Sequence, residues 1–128
     1  MTRHIAAVLG VAALTAFGST ALAERGTQSP IPDDIWQKMQ GVSWHADLPC
    51  PNRDGLRLLS VPYVDFAGAE QTGQLVVATE VADTMLDIFA DIHAARYPIQ
   101  SMRPVHEFAG DDGFSMAANN TSAFNCRL

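Results

Sequence analysis

GQLVVATEVADTMLDIFADIHAARYP, residues 73–98, joins a short apolar run to a helical repeat, and that succession decides the fold class. Gln74 to Ala78 has the length and valine content of a strand. From Val81 onward, Val81, Met85, Ile88, Phe89 and Ile92 recur at helical spacing, with Asp83, Asp87 and Asp91 on another face. Pro98 forbids continuation, and Thr79 stands where a helix cap is expected. A methionine and aromatic stripe of this kind is core packing rather than a cofactor box. It needs an apolar surface to cover.

The preceding segment supplies that surface. Leu56 to Phe66 is rich in Leu, Val and Tyr, with Val61, Tyr63 and Asp65 on one side and Val64 and Phe66 on the other. Pro62 places this strand at an edge or a bulge, because proline cannot donate to a ladder. A glycine-bounded connection, Gly68 to Gly73, then pairs it with Gln74 to Ala78 as an antiparallel hairpin with a longer loop. The expected class is α+β: a small antiparallel sheet with one long packed helix.

Further upstream, Asp33 to Gln40 reads as a short helix that ends at Gly41, with Ile35, Trp36 and Met39 on one face and acidic residues at its positive end. Val42 to Asp54 is irregular and turn-rich around Pro49, Cys50, Pro51 and Asn52, while Glu24 to Pro32 is polar and reads as a flexible leader. Downstream, Ile99 to Phe108 reads as a strand broken at Pro104, and Ala109 to Gly113 as a turn. The tail from Phe114 starts helical or irregular and enters a strand at Ser122. Internal repeats are absent.

The chain opens with Arg3 ahead of an uncharged apolar run, Ile5 to Phe17, which is too short to span about 30 Å of hydrocarbon as a stable helix. It closes on Ala21-Leu22-Ala23, the small-x-small pattern of a signal peptidase site. Residues 1–23 are therefore expected to be a cleaved signal peptide, and Glu24 rather than a cysteine follows, so no lipid anchor is expected. The product is secreted or periplasmic, without a membrane association after cleavage. About 105 residues remain, one small domain at most. The whole chain carries a formal net charge of −6, and every acidic residue lies beyond the signal. Nucleic acid and anionic lipid surfaces are thereby poor partners. Cys50 and Cys126, an even pair in an oxidising compartment, favour a disulfide over two free thiols, and two distant cysteines are too few for a metal site.

His45, His93 and His106 show none of the close spacings of a zinc site. His93 falls on the long helix as a surface or capping residue, and His106 in a polar loop. Ser115, Ser122 and the carboxylates lack a nucleophile-elbow context. Asn119-Asn120-Thr121-Ser122 holds two overlapping glycosylation sequons, read here as a turn.

Several phrases in order carry a family resemblance: GVSWH at 41–45, Cys50-Pro51, YVDF at 63–66 within the Leu56 to Phe66 strand, GQLVV at 73–77, RYPI at 96–99, Met102, and NNTSAFNCR at 119–127. Together they resemble the D-alanyl-D-alanine carboxypeptidase family of zinc metallopeptidases, which includes L-alanyl-D-glutamate endopeptidases. The resemblance spans nearly all of residues 33–128. It implies an exported enzyme whose partners are peptidoglycan stem peptides and whose cofactor is zinc. In that family the asparagine-rich phrase is followed by a Ser-x-His-x-x-Gly-x-Ala-x-Asp motif and a later His with an acidic general base. Here the sequence ends one residue after Arg127, so residues 33–128 correspond to the N-terminal part of the domain, an incomplete domain expected to bind no zinc and to be inactive. The resemblance implies a transition-state role for Arg127, facing the oxygen of the scissile carbonyl, with Ser122 and Asn125 shaping the substrate pocket. Asp65 and Tyr63 are read as structural. The alternative is an exported, non-enzymatic module that binds cell-wall peptide.

Overall fold

The computed structural model describes residues 12–13 and 24–128, so the expected signal peptide lies outside the described residues apart from two positions. The elements run β1 (Thr27–Pro30), α1 (Asp33–Met39), β2 (Leu56–Val64), β3 (Glu70–Ala78), α2 (Ala82–Ala94), β4 (Ser101–Met102), α3 (Asp112–Ala117) and β5 (Asn120–Thr121). Single 3-10 turns precede β2, α2 and α3, at Arg53–Gly55, Thr79–Val81 and Val105–Phe108. β1, β2 and β3 form an antiparallel sheet in that order, and β4 pairs with β5 in a separate parallel ladder. The α+β class read from the sequence holds.

The β2–β3 hairpin is apolar on both faces, which is why Leu56 to Leu59 and Leu75 to Val77 read as near-continuous apolar runs instead of a clean alternation. Leu59, Val61, Leu75 and Val77 face α2 and pack with Leu86, Phe89, Ile99 and Met102. Leu56, Leu58 and Val76 face the other way, onto Ile31 and Met39, with Trp36, Trp44 and Phe124 closing the layer. Each fully buried Leu or Val contributes roughly 1.5–3 kcal/mol relative to exposure.

The hairpin is longer on its second strand than the sequence suggested. β3 begins at Glu70, and β2 ends at Val64, leaving Phe66 exposed in the turn. Asp65 makes the difference: its Oδ1 accepts the backbone N–H of Ala67 and of Ala69, and its Oδ2 accepts from the Gln71 side chain. Gly68, at φ +79°, supplies the left-handed residue the turn requires. Pro62 sits on the central strand, not at a bulge. β1 stops at Thr27 opposite Ser60, so beyond that pair the β1 side of β2 is an open edge. Asp65 N–H bonds to Ala69 across the hairpin, and the alternation of an antiparallel ladder then turns the Pro62 nitrogen away from β3, toward that open edge.

The leader expected at 24–32 is a correction: its residues Thr27–Pro30 form β1, and Ile31 is buried. Main-chain pairing requires no apolar side chains, so a polar edge strand leaves little trace in composition. Gly26 permits it, since a Cβ there would stand 2.2 Å from the Ser60 carbonyl oxygen. Arg25 also ties this segment to α2 through Asp87 at 2.8 Å and Asp83 at 3.3 Å.

Helix α2 is where expected, and of the expected stripe Phe89 is buried while Met85 and Ile92 pack partly buried against the same core, but the centre of the buried face lies about one residue further on. Its buried face is Ala82, Leu86, Phe89 and Ala90, while Val81 and Ile88 are 41% and 46% exposed. Two adjacent stripes both carry apolar residues at helical spacing, and only contact with the sheet selects between them. Thr79 does not cap it. Thr79 lies in the preceding 3-10 turn, and its hydroxyl donates to the Asp54 carbonyl at 3.0 Å. The broken strand expected at 99–108 reduces to Ser101–Met102, followed by the 3-10 turn at Val105–Phe108. The strand expected from Ser122 is likewise displaced: β5 ends at Thr121. Gly73 lets Met102 lie against β3, for a Cβ there would come within 2.5 Å of the Met102 Cβ.

Cys50 and Cys126 form a disulfide with Cα atoms 5.8 Å apart, closing a separation of 76 residues. Two backbone bonds flank it, Phe124 N–H to Val76 O and Cys126 N–H to Ser43 O. In the chain-entropy model a closed loop of this length contributes about 4.5 kcal/mol, a large share of a small domain's stability. Replacing both cysteines by serine is expected to lower the unfolding free energy in urea by up to about 4.5 kcal/mol. It is also expected to speed amide exchange at Phe124 and Cys126. Unchanged exchange at those two amides would show that the bridge does not hold the C-terminal segment.

Candidate functional site

The turn at Ala109 and Gly110, both in left-handed conformation, reverses the chain ahead of α3. Asp111 caps that helix, its Oδ1 accepting the Phe114 N–H at 3.0 Å. Beyond α3, Asn119 at φ +51° turns the chain again and delivers the phrase 119–127 alongside the outer edge of β3. The overlapping sequons, read as a turn, are one only at Asn119; Asn120 and Thr121 form β5, paired with Ser101 and Met102.

Asn120 organises this region. Its Oδ1 accepts from the Ser101 hydroxyl at 2.9 Å and from the Arg103 N–H at 3.0 Å. Its Nδ2 donates to the Arg103 carbonyl at 2.9 Å and to the Ser115 hydroxyl at 3.1 Å. The side chain therefore imitates a peptide group and adds one rung to the two-residue β4–β5 ladder. It also satisfies the buried Ser115. Sequence reasoning saw two adjacent asparagines and had no signal to separate the turn residue from the bridging one.

Of the three residues assigned to substrate, two meet. Asn125 Nδ2 donates to the Gly110 carbonyl at 3.1 Å and to Asp112 Oδ1 at 3.0 Å, and the Arg127 guanidinium pairs with the other oxygen of Asp112. Asp112 is the missed member, a carboxylate at the start of α3 that gathers both. The Arg127 side chain remains 66% exposed, so the pair is a surface one. Ser122 is exposed, and its hydroxyl makes no hydrogen bond among the described residues.

The histidines lie apart. His45 follows α1 in the irregular segment and is half-buried. His93 is no surface cap: on the last turn of α2, with its side chain only 12% exposed, its Nε2 meets Glu70 Oε2 at 2.7 Å, and Arg96 joins the same carboxylate at 3.3 Å. His106 is half-buried in the 3-10 turn, its Nδ1 shut off from solvent without a partner. Among the described residues no three His, Cys, Asp or Glu side chains converge on a point able to hold a metal ion. Among the described residues, His45, His93 and His106 do not together form the donor set that the zinc ion implied by the resemblance would need. Among the same residues no helix is long and apolar enough to cross a membrane.

Hydrogen bonds from Asp87 and Asp83 hold the Arg25 guanidinium above its ordinary range, and three groups that titrate between acid and neutral pH are also shifted. The Gln71 side chain and the Ala69 and Ala67 N–H groups hold the Asp65 carboxyl below its ordinary range. Glu70 is held low chiefly by its hydrogen bond to His93; burial opposes this, and the charge of His93 and the hydrogen bond and charge of Arg96 add to the lowering. Burial pushes His106 down, with Lys38 acting in the same direction and Glu107 opposing.

Asn120→Ala leaves Ser115 and both main-chain groups of Arg103 without partners, an expected loss of about 2–3 kcal/mol in urea unfolding. Asn120→Asp, which keeps the acceptor and removes the donors, is expected to fall between wild type and Asn120→Ala. A loss below about 0.5 kcal/mol for Asn120→Ala would mean that water replaces the bridge.

For all three shifted groups the unfolded chain binds protons more readily than the folded one in acid, so stability is greatest above about pH 6.5 and falls below it. The first decline belongs to His106, the second, near pH 4, to Asp65 and Glu70. His106→Gln is expected to flatten the change in urea midpoint between about pH 7 and 5, and Asp65→Asn or Glu70→Gln the change between about pH 5 and 3. A wild-type midpoint that is constant down to pH 4 would contradict these assignments.

No family model, curated protein or solved structure matches this chain, so the functional reading rests on the chemistry of its own residues.

Proposed function

We propose that residues 33–128 are the N-terminal, substrate-facing part of an exported peptidoglycan-peptidase-like domain, and that this chain by itself hydrolyses nothing. One observation carries the reading: the phrase 119–127, the most specific part of the resemblance, is anchored by a disulfide and two main-chain bonds, with Arg127 at its end. A cation on a covalently anchored segment is positioned for electrostatic stabilisation of an oxyanion, because little reorganisation is needed when charge develops. Asp112 holds the guanidinium in the absence of substrate. A surface ion pair of this kind is worth about 0–1 kcal/mol, so a substrate carbonyl or carboxylate displaces Asp112 at small cost. Asn125, bound to Gly110 and Asp112, fixes the approach of this segment.

In the resembling family, zinc lowers the pKa of a bound water and polarises the scissile carbonyl. The donors for it are not supplied by His45, His93 or His106, so this chain's residues bind and orient a stem peptide but activate no water.

A second reading, a non-enzymatic module that binds cell-wall peptide, is favoured by the coverage of the sheet. Both faces of the β2–β3 hairpin are packed, one by α2 and the other by α1, Trp44 and Phe124. That arrangement supports cooperative folding without further chain.

One experiment tests both readings. The purified protein is incubated with zinc and a muropeptide, and both turnover and binding are measured. No turnover is expected; turnover abolished by a chelator would overturn the proposal. Saturable muropeptide binding that weakens about tenfold in Arg127→Gln, together with a single cooperative unfolding transition, would support the binding module. Binding that is indifferent to Arg127 would remove the assigned role of that residue.

A further inference from the structure

A cleft of about 350 Å³ opens at the end of the sheet remote from the hairpin turn, lined by Pro30, Ile31, Arg53, Asp54, Leu56 and Arg57. That volume lies at the small end of ligand-sized cavities. Its two arginines are in different states. Arg53 is largely engaged: Nε and Nη2 donate to the Ile31 carbonyl, and Nη2 to Asp33 at 2.6 Å. Arg57 is half-buried and pairs with no carboxylate among the described residues. Only its Nε is bonded, to Gln28 Oε1 at 3.1 Å, so both terminal nitrogens are without a protein acceptor among those residues.

In a chain with a formal net charge of −6, an arginine beside a cleft and without a counter-ion is unusual. Among the other described arginines, Arg25, Arg53, Arg96 and Arg127 each meet a carboxylate, and Arg103, which meets none, lies over the Phe108 ring. Arg57 is also pre-oriented. Gln28 donates its Nε2 to Asp83 at 2.7 Å, which turns its Oε1 toward Arg57 and fixes the guanidinium by its Nε edge. Such a fork presents the terminal pair of N–H groups in the geometry that matches a carboxylate or phosphate. Asp54 is the one acidic group in the lining, and it is exposed and forms no ion pair with either arginine.

We propose that this cleft is a binding site for a small oxyanion, a carboxylate or phosphate group, held by the terminal nitrogens of Arg57 with Arg53 Nη1 as a further donor. Gln28 is a positioning residue, and the exposed Pro30 ring borders the cleft on its apolar side. The site lies apart from Arg127 and does not depend on the reading of that residue.

The test follows the Arg57 Nε–H resonance of the 15N-labelled protein during titration with sodium acetate, sodium phosphate and, at matched ionic strength, sodium chloride. A saturable shift with acetate or phosphate and none with chloride is expected, and whichever of the two saturates at lower concentration identifies the preferred anion. Arg57→Lys keeps the charge and loses the fork, and is expected to weaken binding about tenfold, read from shifts at neighbouring backbone amides such as Leu56. Gln28→Ala is expected to weaken it several-fold, whereas Arg96→Gln, at the opposite end of α2, leaves it intact. Linear shifts equal to those with chloride, or unchanged affinity in Arg57→Lys, would overturn the proposal.

Discussion

Burial of the β2–β3 hairpin on both faces is the constraint on which everything else depends. A two-stranded ribbon is not stable alone in water, and each of its faces needs a cover. Helix α2 closes one face through Leu86 and Phe89. The other face has no long helix and is closed by several short pieces from both ends of the chain: Ile31 after β1, Met39 from α1, the two tryptophans and Phe124. The second layer thus links residues far apart in sequence, and the Cys50–Cys126 bridge holds the last of them in place.

This division explains the irregularity of the segment between α1 and β2. Its main chain is organised by carbonyls rather than by a ladder: the Met39 carbonyl oxygen receives the N–H groups of Val42, Ser43 and Trp44. Trp44 and Trp36 lie with ring centroids 4.7 Å apart, and the Trp44 indole N–H donates to the Pro51 carbonyl at 2.8 Å. Aromatic mass compensates for the missing secondary structure, since a tryptophan buries a large area and still satisfies its one donor. The same layer carries the C-terminal segment that leads to Arg127, so packing of the second face and placement of the candidate site are one structural fact.

Charge is distributed on the same plan. Ion pairs fasten elements at their margins, Arg25 to α2, Arg53 to the start of α1, and Arg96 with His93 to the start of β3. All involve exposed carboxylates and so contribute little each. Their effect is on placement: they engage the arginines at the margins and leave Arg57, beside the cleft at the end of the sheet, with no carboxylate partner among the described residues.

The sequence by itself determined the elements whose signals are local. Helical spacing and Pro98 bounded α2, Gly41 ended α1, the valine-rich runs placed the central hairpin, and an even cysteine pair implied the bridge. Three features belonged to the tertiary structure. β1 formed from a polar segment because an edge strand is held by main-chain bonds that any side chains permit. The exact centre of the buried face of α2 was open because apolar residues flank Phe89 on both sides, Val81 and Ile88 on one and Ala82 and Leu86 on the other, and only the sheet distinguishes them. The roles of Asn120, Asp112 and Arg57 were invisible because a polar side chain's function is set by which unsatisfied groups surround it, and those neighbours, Arg103, Arg127 and Gln28, are brought close only when the chain folds.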